Sequence, residues 1–371
     1  MITAPAQRHV VFAGGGTGGH VFPGLAVAQR LASGVPGMRI TFAGTGKELE
    51  RRWVGAAGFD YLALPCRPWP GRVRGTLRFL LDYLAGCRAA ARFLDHARVD
   101  VVVGLGGYAS VPMARAAARR RLPLVLLEQN AVPGRATRWL ARSATLVCTS
   151  FQQAHRHLPS RCHFRVTGNP IRAGFCPAPT ATTAQRPNGR TRQLLVLGGS
   201  GGAESLNQNV PKALDAIRPA LSGWRVLHQS GQAQFEPTRR HYARLGLWAE
   251  VVPFVANMPQ TLPRCDLAIC RAGGTTLAEL AAAGVPALLL PYAHAADDHQ
   301  RANAAVFAAA GAAALLDERE AHASLDARLA EALRPLLADV TARAAMSAAM
   351  GRLALPDAAH DVAALIRQLA R

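Results

Sequence analysis

A chain of 371 residues exceeds what one hydrophobic core ordinarily holds, and half of it is apolar, so two domains with real cores are expected and general disorder is excluded. The 43 Lys and Arg against 23 Asp and Glu leave a formal net charge of +20, which favours polyanionic partners, yet no aromatic-interleaved or zinc-finger pattern points to nucleic acid. Seven cysteines without a C-x-x-C pair support neither a disulfide framework nor a structural zinc site, and with neither a secretory signal nor an apolar run long enough to span a bilayer, a cytosolic protein is expected.

The first predicted element is a strand at 10–13, which empties into Gly14-Gly15-Gly16-Thr17-Gly18-Gly19-His20. Glycine permits a sharp strand-to-helix turn and leaves N–H groups uncovered for a phosphate or sugar. Val21-Phe22-Pro23 reads as a helix start with Pro23 in its first turn. His20 at that terminus is a candidate general base, kept neutral by the helix dipole; capping or packing is the plainer alternative. Further strands are expected at 39–43, 99–104, 124–128, 146–149 and 164–167, and helices at 25–32, 47–57, 77–94, 111–120 and 135–140. Apolar strands alternating with amphipathic helices predict a parallel sheet covered on both faces.

Gly106-Gly107-Tyr108-Ala109-Ser110 and Glu128-Gln129-Asn130 each follow a strand, at the carboxyl edge where open α/β sheets bind ligands. Their amide, hydroxyl and acid groups suit a hydroxyl-rich ligand, with turn stabilisation as the alternative for each residue alone. Within 67–81, Arg72, Arg74 and Arg78 accompany Trp69 and Phe79. That mixture suits an anionic membrane surface, and also an ordinary helix entry with a solvated face.

Residues 177–192 are rich in Pro and Thr without a period, which marks a linker between domains at 8–170 and 193–340. The linker is set at 171–192. The second half repeats the opening: a strand at 194–197 runs into Gly198-Gly199-Ser200-Gly201-Gly202. Strands at 225–229, 251–253, 267–270 and 287–290 alternate with helices at 204–217, 236–245, 276–283 and 299–309. Helices at 326–336, 340–353 and 358–369 follow without a strand, and the segment 341–371 is expected to brace the first domain. Two such glycine turns, each opening one half, predict an α/β protein of two Rossmann-like domains facing across a cleft.

Thr276-Leu277-Ala278-Glu279 has the spacing of a capping box, directly after Arg271-Ala272-Gly273-Gly274-Thr275. Glu279 is either the reciprocal cap or a carboxylate that grips a diol. In Asp297-Asp298-His299-Gln300-Arg301-Ala302-Asn303, Asp298 is a predicted N-cap, while Gln300 and Asn303 share a helix face and can both reach a sugar. One local Asp-Asp-His cluster is weak support for a metal, and none is expected.

Together these motifs resemble the family that adds N-acetylglucosamine to undecaprenyl-diphospho-N-acetylmuramoyl-pentapeptide. The resemblance rests on Gly15-Gly16-Thr17-Gly18-Gly19-His20-Val21-Phe22-Pro23-Gly24, on Gly106-Gly107-Tyr108-Ala109-Ser110-Val111-Pro112 and on Glu128-Gln129-Asn130. It continues through Thr167-Gly168-Asn169-Pro170-Ile171-Arg172, Gly198-Gly199-Ser200, Cys270-Arg271-Ala272-Gly273, Glu279-Leu280-Ala281-Ala282-Ala283-Gly284 and 291–303, in family order. The second glycine loop departs from the family pattern, with Gly201 for a usual glutamine and Glu204 for a usual arginine.

The resemblance implies the two-lobed glycosyltransferase fold and an inverting transfer that needs no metal or cofactor. UDP-N-acetylglucosamine would be the donor and the undecaprenyl-linked muramoyl-pentapeptide the acceptor, attacked through its 4-hydroxyl. His20 would be the base. Thr17, Gly18, Gly19, Asn130, Arg172, Ser200, Glu279, Gln300 and Asn303 would contact the donor, with Glu279 on the ribose, while Asn130 also faces the acceptor side with His20. Tyr108, Ser110, Glu128, Thr275, Thr276 and His299 are acceptor-side or supporting candidates. Trp69, Arg72, Arg74, Arg78 and Phe79 would meet an anionic lipid surface at the cytoplasmic face of the inner membrane, as a peripheral protein with other cell-envelope synthesis proteins as partners. Transfer to another acceptor by the same fold, or donor binding without turnover, are the alternative functions.

Overall fold

The computed structural model describes residues 8–35, 37–70, 75–175, 191–199, 201–320 and 322–370. The chain divides into two compact units, Met1–Arg172 with Asp357–Arg371, and Ala173–Pro356.

The first unit holds seven strands: β1 (His9–Ala13), β2 (Arg39–Gly44), β3 (Asp60–Ala63), β4 (Val101–Gly104), β5 (Leu124–Glu128), β6 (Leu146–Thr149) and β7 (Phe164–Val166). They lie in the order β3-β2-β1-β4-β5-β6-β7 with every pairing parallel. Along β1, Val10 and Phe12 bury into one core while Val11 and Ala13 bury into another. A strand buried on both faces reads as unbroken apolar sequence, because successive side chains alternate between two covered surfaces. Helices α1 (Gly18–Gly34), α2 (Glu48–Ala56), α3 (Thr76–Ala97), α4 (Val111–Arg119) and α5 (Arg135–Leu140) supply much of that cover.

The second unit repeats the plan with β8 (Arg192–Leu197), β9 (Trp224–Gln229), β10 (Glu250–Val252), β11 (Leu267–Cys270), β12 (Ala287–Leu289) and β13 (Ala313–Leu315). Its order, β10-β9-β8-β11-β12-β13, matches that of the first six strands of the first sheet, and it too is parallel throughout. Its helices are α6 (Glu204–Ala216), α7 (Phe235–Arg244), α8 (Met258–Thr261), α9 (Gly274–Ala283), α10 (His299–Ala309), α11 (Leu325–Ala338) and α12 (Val340–Arg352). The last helix, α13 (Ala358–Leu369), belongs to the first unit: Val362, Ala363 and Ile366 join the core that holds Val21, Leu25 and Leu31 of α1.

In each sheet the chain runs outward from its first strand, then crosses back to pair on the other side. The crossover leaves a switch point at the carboxyl ends of β1 and β4, and another at those of β8 and β11, where open α/β sheets hold ligands. Two edge strands depart from the expected pattern. β3 is a half-exposed Asp-Tyr-Leu-Ala and β13 is Ala-Ala-Leu, so neither shows the long apolar signature of the central strands. Most of the expected linker, 176–190, lies outside the described residues.

Candidate active site

At the first switch point the turn after β1 delivers the chain into α1 at Gly18, ahead of both the helix start read at Val21-Phe22-Pro23 and the periodic run at 25–32, because Gly18 and Gly19 are poor helix formers that hide the start. Thr17 is the N-cap residue and His20 the third residue of the helix; Pro23 therefore falls in the second turn, not the first. Thr17 makes no side-chain bond to the helix backbone. Its Oγ1 lies 3.1 Å from His20 Nδ1 instead.

The imidazole rests against the turn that follows β4. A Cβ added to Gly106 would come 3.1 Å from His20 Cδ2 and 3.4 Å from Nε2, and one on Gly107 would come 3.5 Å from Cε1. Both glycines also have positive φ, 93° and 68°, so a side chain there is strained as well as crowded. Gln129 at the end of β5 braces the same turn, with Nε2 donating to the Leu105 carbonyl at 3.2 Å. Three strand ends thus converge on one histidine.

The neighbouring polar residues divide by where their atoms are used. Ser110 is buried and its hydroxyl donates to the Gly107 carbonyl at 2.9 Å. Glu128 is buried and accepts from Asn130 N at 3.1 Å, Asn130 Nδ2 at 3.2 Å and Gly134 N at 3.1 Å, organising the loop after β5. Burial pushes the Glu128 carboxyl above the ordinary range despite those donors. For Ser110 and Glu128 the structure thus displays the turn-stabilising bonds. Tyr108 is half-buried beside them, and burial raises its hydroxyl as well. Arg172 lays its guanidinium 4.8 Å from the ring centroid of Phe22, two residues along α1 from His20.

Glu50, which the sequence does not single out, is a second buried carboxylate of this region with a full set of donors. It is 2 % exposed and accepts from Gly16 N at 2.6 Å, Thr45 Oγ1 at 2.8 Å, Thr45 N at 2.9 Å and the Tyr61 hydroxyl at 2.5 Å. Gly16 N–H therefore points to an internal carboxylate, which corrects the expectation that this turn leaves it uncovered for a phosphate.

On α3, Leu77, Leu80, Leu81 and Leu84 are exposed along one face, with Leu77 at 71 %. Trp69 is 58 % exposed and packs edge-on to Phe79 with ring centroids 5.0 Å apart, and Arg78 is exposed beside them. Arg72 and Arg74 lie outside the described residues, as does Ser200. No helix among the described residues is long and apolar enough to cross a membrane.

At the second switch point, Gly202 N donates to the Gly199 carbonyl at 3.0 Å, and Gln229 Nε2 donates to the same carbonyl at 2.9 Å, so the turn after β8 is braced from β9. After β11, Gly273 is the N-cap residue of α9 and the helix begins at Gly274. Thr275 and Thr276 are thus already inside the first turn, and Glu279 is the sixth helical residue. This overturns the capping-box reading, which needs Thr276 at the N-cap; the two glycines again start the helix early. Glu279 is 5 % exposed on that helix.

Gln300 and Asn303 share a face of α10, as their spacing predicts, and both reach neighbouring turns. Gln300 Oε1 accepts from Tyr292 N at 2.9 Å, and fully buried Asn303 donates through Nδ2 to the Ala272 carbonyl at 3.0 Å. His299 Nδ1 lies 2.8 Å from the Ala296 carbonyl. Asp298 occupies the N-cap position without capping: its backbone is left-handed, with φ of 53°, and its carboxylate turns to Arg319 at 3.3 Å and Arg301 at 3.9 Å. Arg271, at the end of β11, pairs with Glu318 at 2.8 Å and donates to Ser205 Oγ at 2.7 Å. Among the described residues no group of three or more His, Cys, Asp or Glu is placed to hold a metal ion.

Two protein-family models match this arrangement: the glycosyltransferase family 28 N-terminal domain over residues 10–149 and the family 28 C-terminal domain over residues 193–362. Both halves therefore carry the domains of a family 28 glycosyltransferase. A relative from Methylococcus capsulatus (strain ATCC 33009 / NCIMB 11132 / Bath) is 41% identical over 362 residues, covering 96% of this chain and 97% of its own. One from Anaeromyxobacter sp. (strain Fw109-5) is 38% identical over 365 residues, covering 98% and 93%. The crystal structure of Acinetobacter baumannii MurG is similar with a TM-score of 0.74 at 31% identity, over 97% of this chain and 99% of that one. Both relatives bear one name, and the chain belongs to their family, the UDP-N-acetylglucosamine–N-acetylmuramyl-(pentapeptide) pyrophosphoryl-undecaprenol N-acetylglucosamine transferases.

Proposed function

We propose that the chain transfers N-acetylglucosamine from UDP-N-acetylglucosamine to the 4-hydroxyl of undecaprenyl-diphospho-N-acetylmuramoyl-pentapeptide, with inversion at the anomeric carbon. The observation that carries this reading is the seating of His20 at the first switch point, its Nδ1 beside Thr17 and its ring against Gly106 and Gly107, in a chain 38–41% identical over nearly full length to transferases named for these substrates.

The acceptor hydroxyl attacks C1 of the donor sugar from the face opposite UDP, through an oxocarbenium-like state. The C–O bond to the acceptor forms as the bond to the diphosphate breaks, and His20 takes the hydroxyl proton as its oxygen becomes an ether. Thr17, holding Nδ1, sets which ring nitrogen faces the substrate. Gly18, Gly19 and Asn130 contact the donor, Asn130 also faces the acceptor side with His20, and Tyr108 supports the acceptor side. On the second unit, Glu279 holds the ribose hydroxyls, while Gln300 and Asn303 orient the donor sugar. Arg172 and Ser200 meet the uridine diphosphate, and Thr275, Thr276 and His299 support the helix starts around it. Leaving-group charge is met by backbone donors and arginine, without a metal.

The acceptor's polyprenyl tail stays in a bilayer. The apolar row on α3 with Trp69, Phe79 and Arg78 provides a peripheral contact with anionic lipid at the cytoplasmic face of the inner membrane, where other envelope-synthesis proteins are met. The test is His20→Ala assayed with both substrates. Turnover should fall about 10²- to 10⁴-fold, the usual worth of a general base, with UDP-N-acetylglucosamine affinity little changed. Unchanged turnover contradicts the assignment.

A further inference from the structure

We propose that Glu50 is a positioning residue for the transfer reaction: its carboxylate locks the turn after β1 and, through Thr17, fixes the orientation of the His20 ring. The proposal rests on the reading of His20 as the base. A carboxylate withdrawn from water is costly unless its lone pairs are filled. Glu50 makes no ion pair among the described residues; it is satisfied by four donors, two from Thr45, one from Tyr61 and one from Gly16. Tyr61 itself accepts from Gly46 N at 2.9 Å, so β3, the turn after β2 and the turn after β1 meet on one side chain.

The packing is as specific as the bonding. A Cβ on Gly15 would come 2.7 Å from Glu50 Oε1, and one on Gly44 would come 2.6 Å from Oε2. Two glycines of the strand ends are thus accounted for by the approach of an internal carboxylate, with no ligand required. Gly16, whose N–H is held, directly precedes Thr17, whose Oγ1 lies 3.1 Å from His20 Nδ1. Slack at Gly16 passes to Thr17 and then to the imidazole, with no other covalent step between. A carboxylate can only accept, so an amide in its place turns an N–H toward a backbone or hydroxyl donor and opens the lock.

The test is Glu50→Gln, read in two ways. By turnover, kcat should fall about 10- to 100-fold, as for a small misplacement of a reacting group, with KM for UDP-N-acetylglucosamine held within about twofold. By 15N NMR of labelled protein, the His20 Nδ1 resonance and its titration should shift, and this does not depend on turnover. If Glu50→Gln does not fold, Thr45→Ala, which removes one bond and leaves Gly16 held, should shift the same resonance by less. A folded variant of either kind with an unmoved His20 resonance overturns the proposal. If instead the resonance moves and His20→Ala retains turnover, the base assignment falls while the positioning contact stands.

Discussion

A histidine takes a proton from an attacking hydroxyl more effectively when one ring nitrogen is committed elsewhere and the ring is held in place. Thr17 supplies the commitment and the bare edge of Gly106-Gly107 supplies the seat. The same economy governs Glu50. Burial by itself would raise its carboxyl, but donors from Tyr61, Gly16 and Thr45 outweigh burial and hold it below the ordinary range. A carboxylate with a lowered folded pKa contributes stability above its unfolded value, and that contribution is lost as pH falls through the folded value. The melting-temperature gap between the native protein and Glu50→Gln should therefore be full near neutrality and close below about pH 4.5. A gap that widens on acidification refutes it. Glu279 sits too deep in α9 to cap it, so Glu279→Ala should raise KM for the donor more than it lowers the melting temperature; the reverse pattern would mark it as structural. The sequence singles out His20 by the glycine run before it, Glu279 by its place after Gly273-Gly274, and Gln300 and Asn303 by their dense polar run. Glu50 is not legible there, since a single acid in the Glu-Leu-Glu-Arg-Arg stretch of a surface helix looks like any solvated charge.

Elements were read well where one signal dominated. The strands buried on both faces are continuous apolar runs, and helices 135–140, 299–309 and 358–369 match the structure because their periodicity and flanks agree. Helix starts at Gly18 and Gly274 were missed, since glycine argues locally for a turn while the tertiary fold winds it into the first helical turn. Helix α13 has the clearest energetic prediction. Ile366 is fully buried among α1 side chains, so Ile366→Ala should cost about 2–5 kcal/mol of the first unit's stability by chemical denaturation. A loss below about 1 kcal/mol would mean that the helix is not part of that core.

At the scale of the molecule, two parallel sheets that share the order of six strands each carry a glycine turn at the carboxyl end of their first strand. The duplication was visible in the sequence because the two turns repeat almost residue for residue. The exposed apolar row of α3 was visible only as composition; its arrangement along one face emerged with the helix. Replacing Leu77 and Leu81 together by Glu should abolish co-sedimentation with anionic vesicles while leaving transfer to a short-chain, soluble acceptor within about threefold, because the substitutions lie on an exposed face. Undiminished vesicle binding would place the lipid contact elsewhere. The decisive measurement is transfer itself: the protein is incubated with UDP-N-acetylglucosamine and a lipid-linked muramoyl-pentapeptide in excess chelator, and the product is resolved by mass and anomeric configuration. A β-linked N-acetylglucosaminyl-muramoyl product is predicted; no disaccharide, or product only when divalent cations are restored, contradicts it.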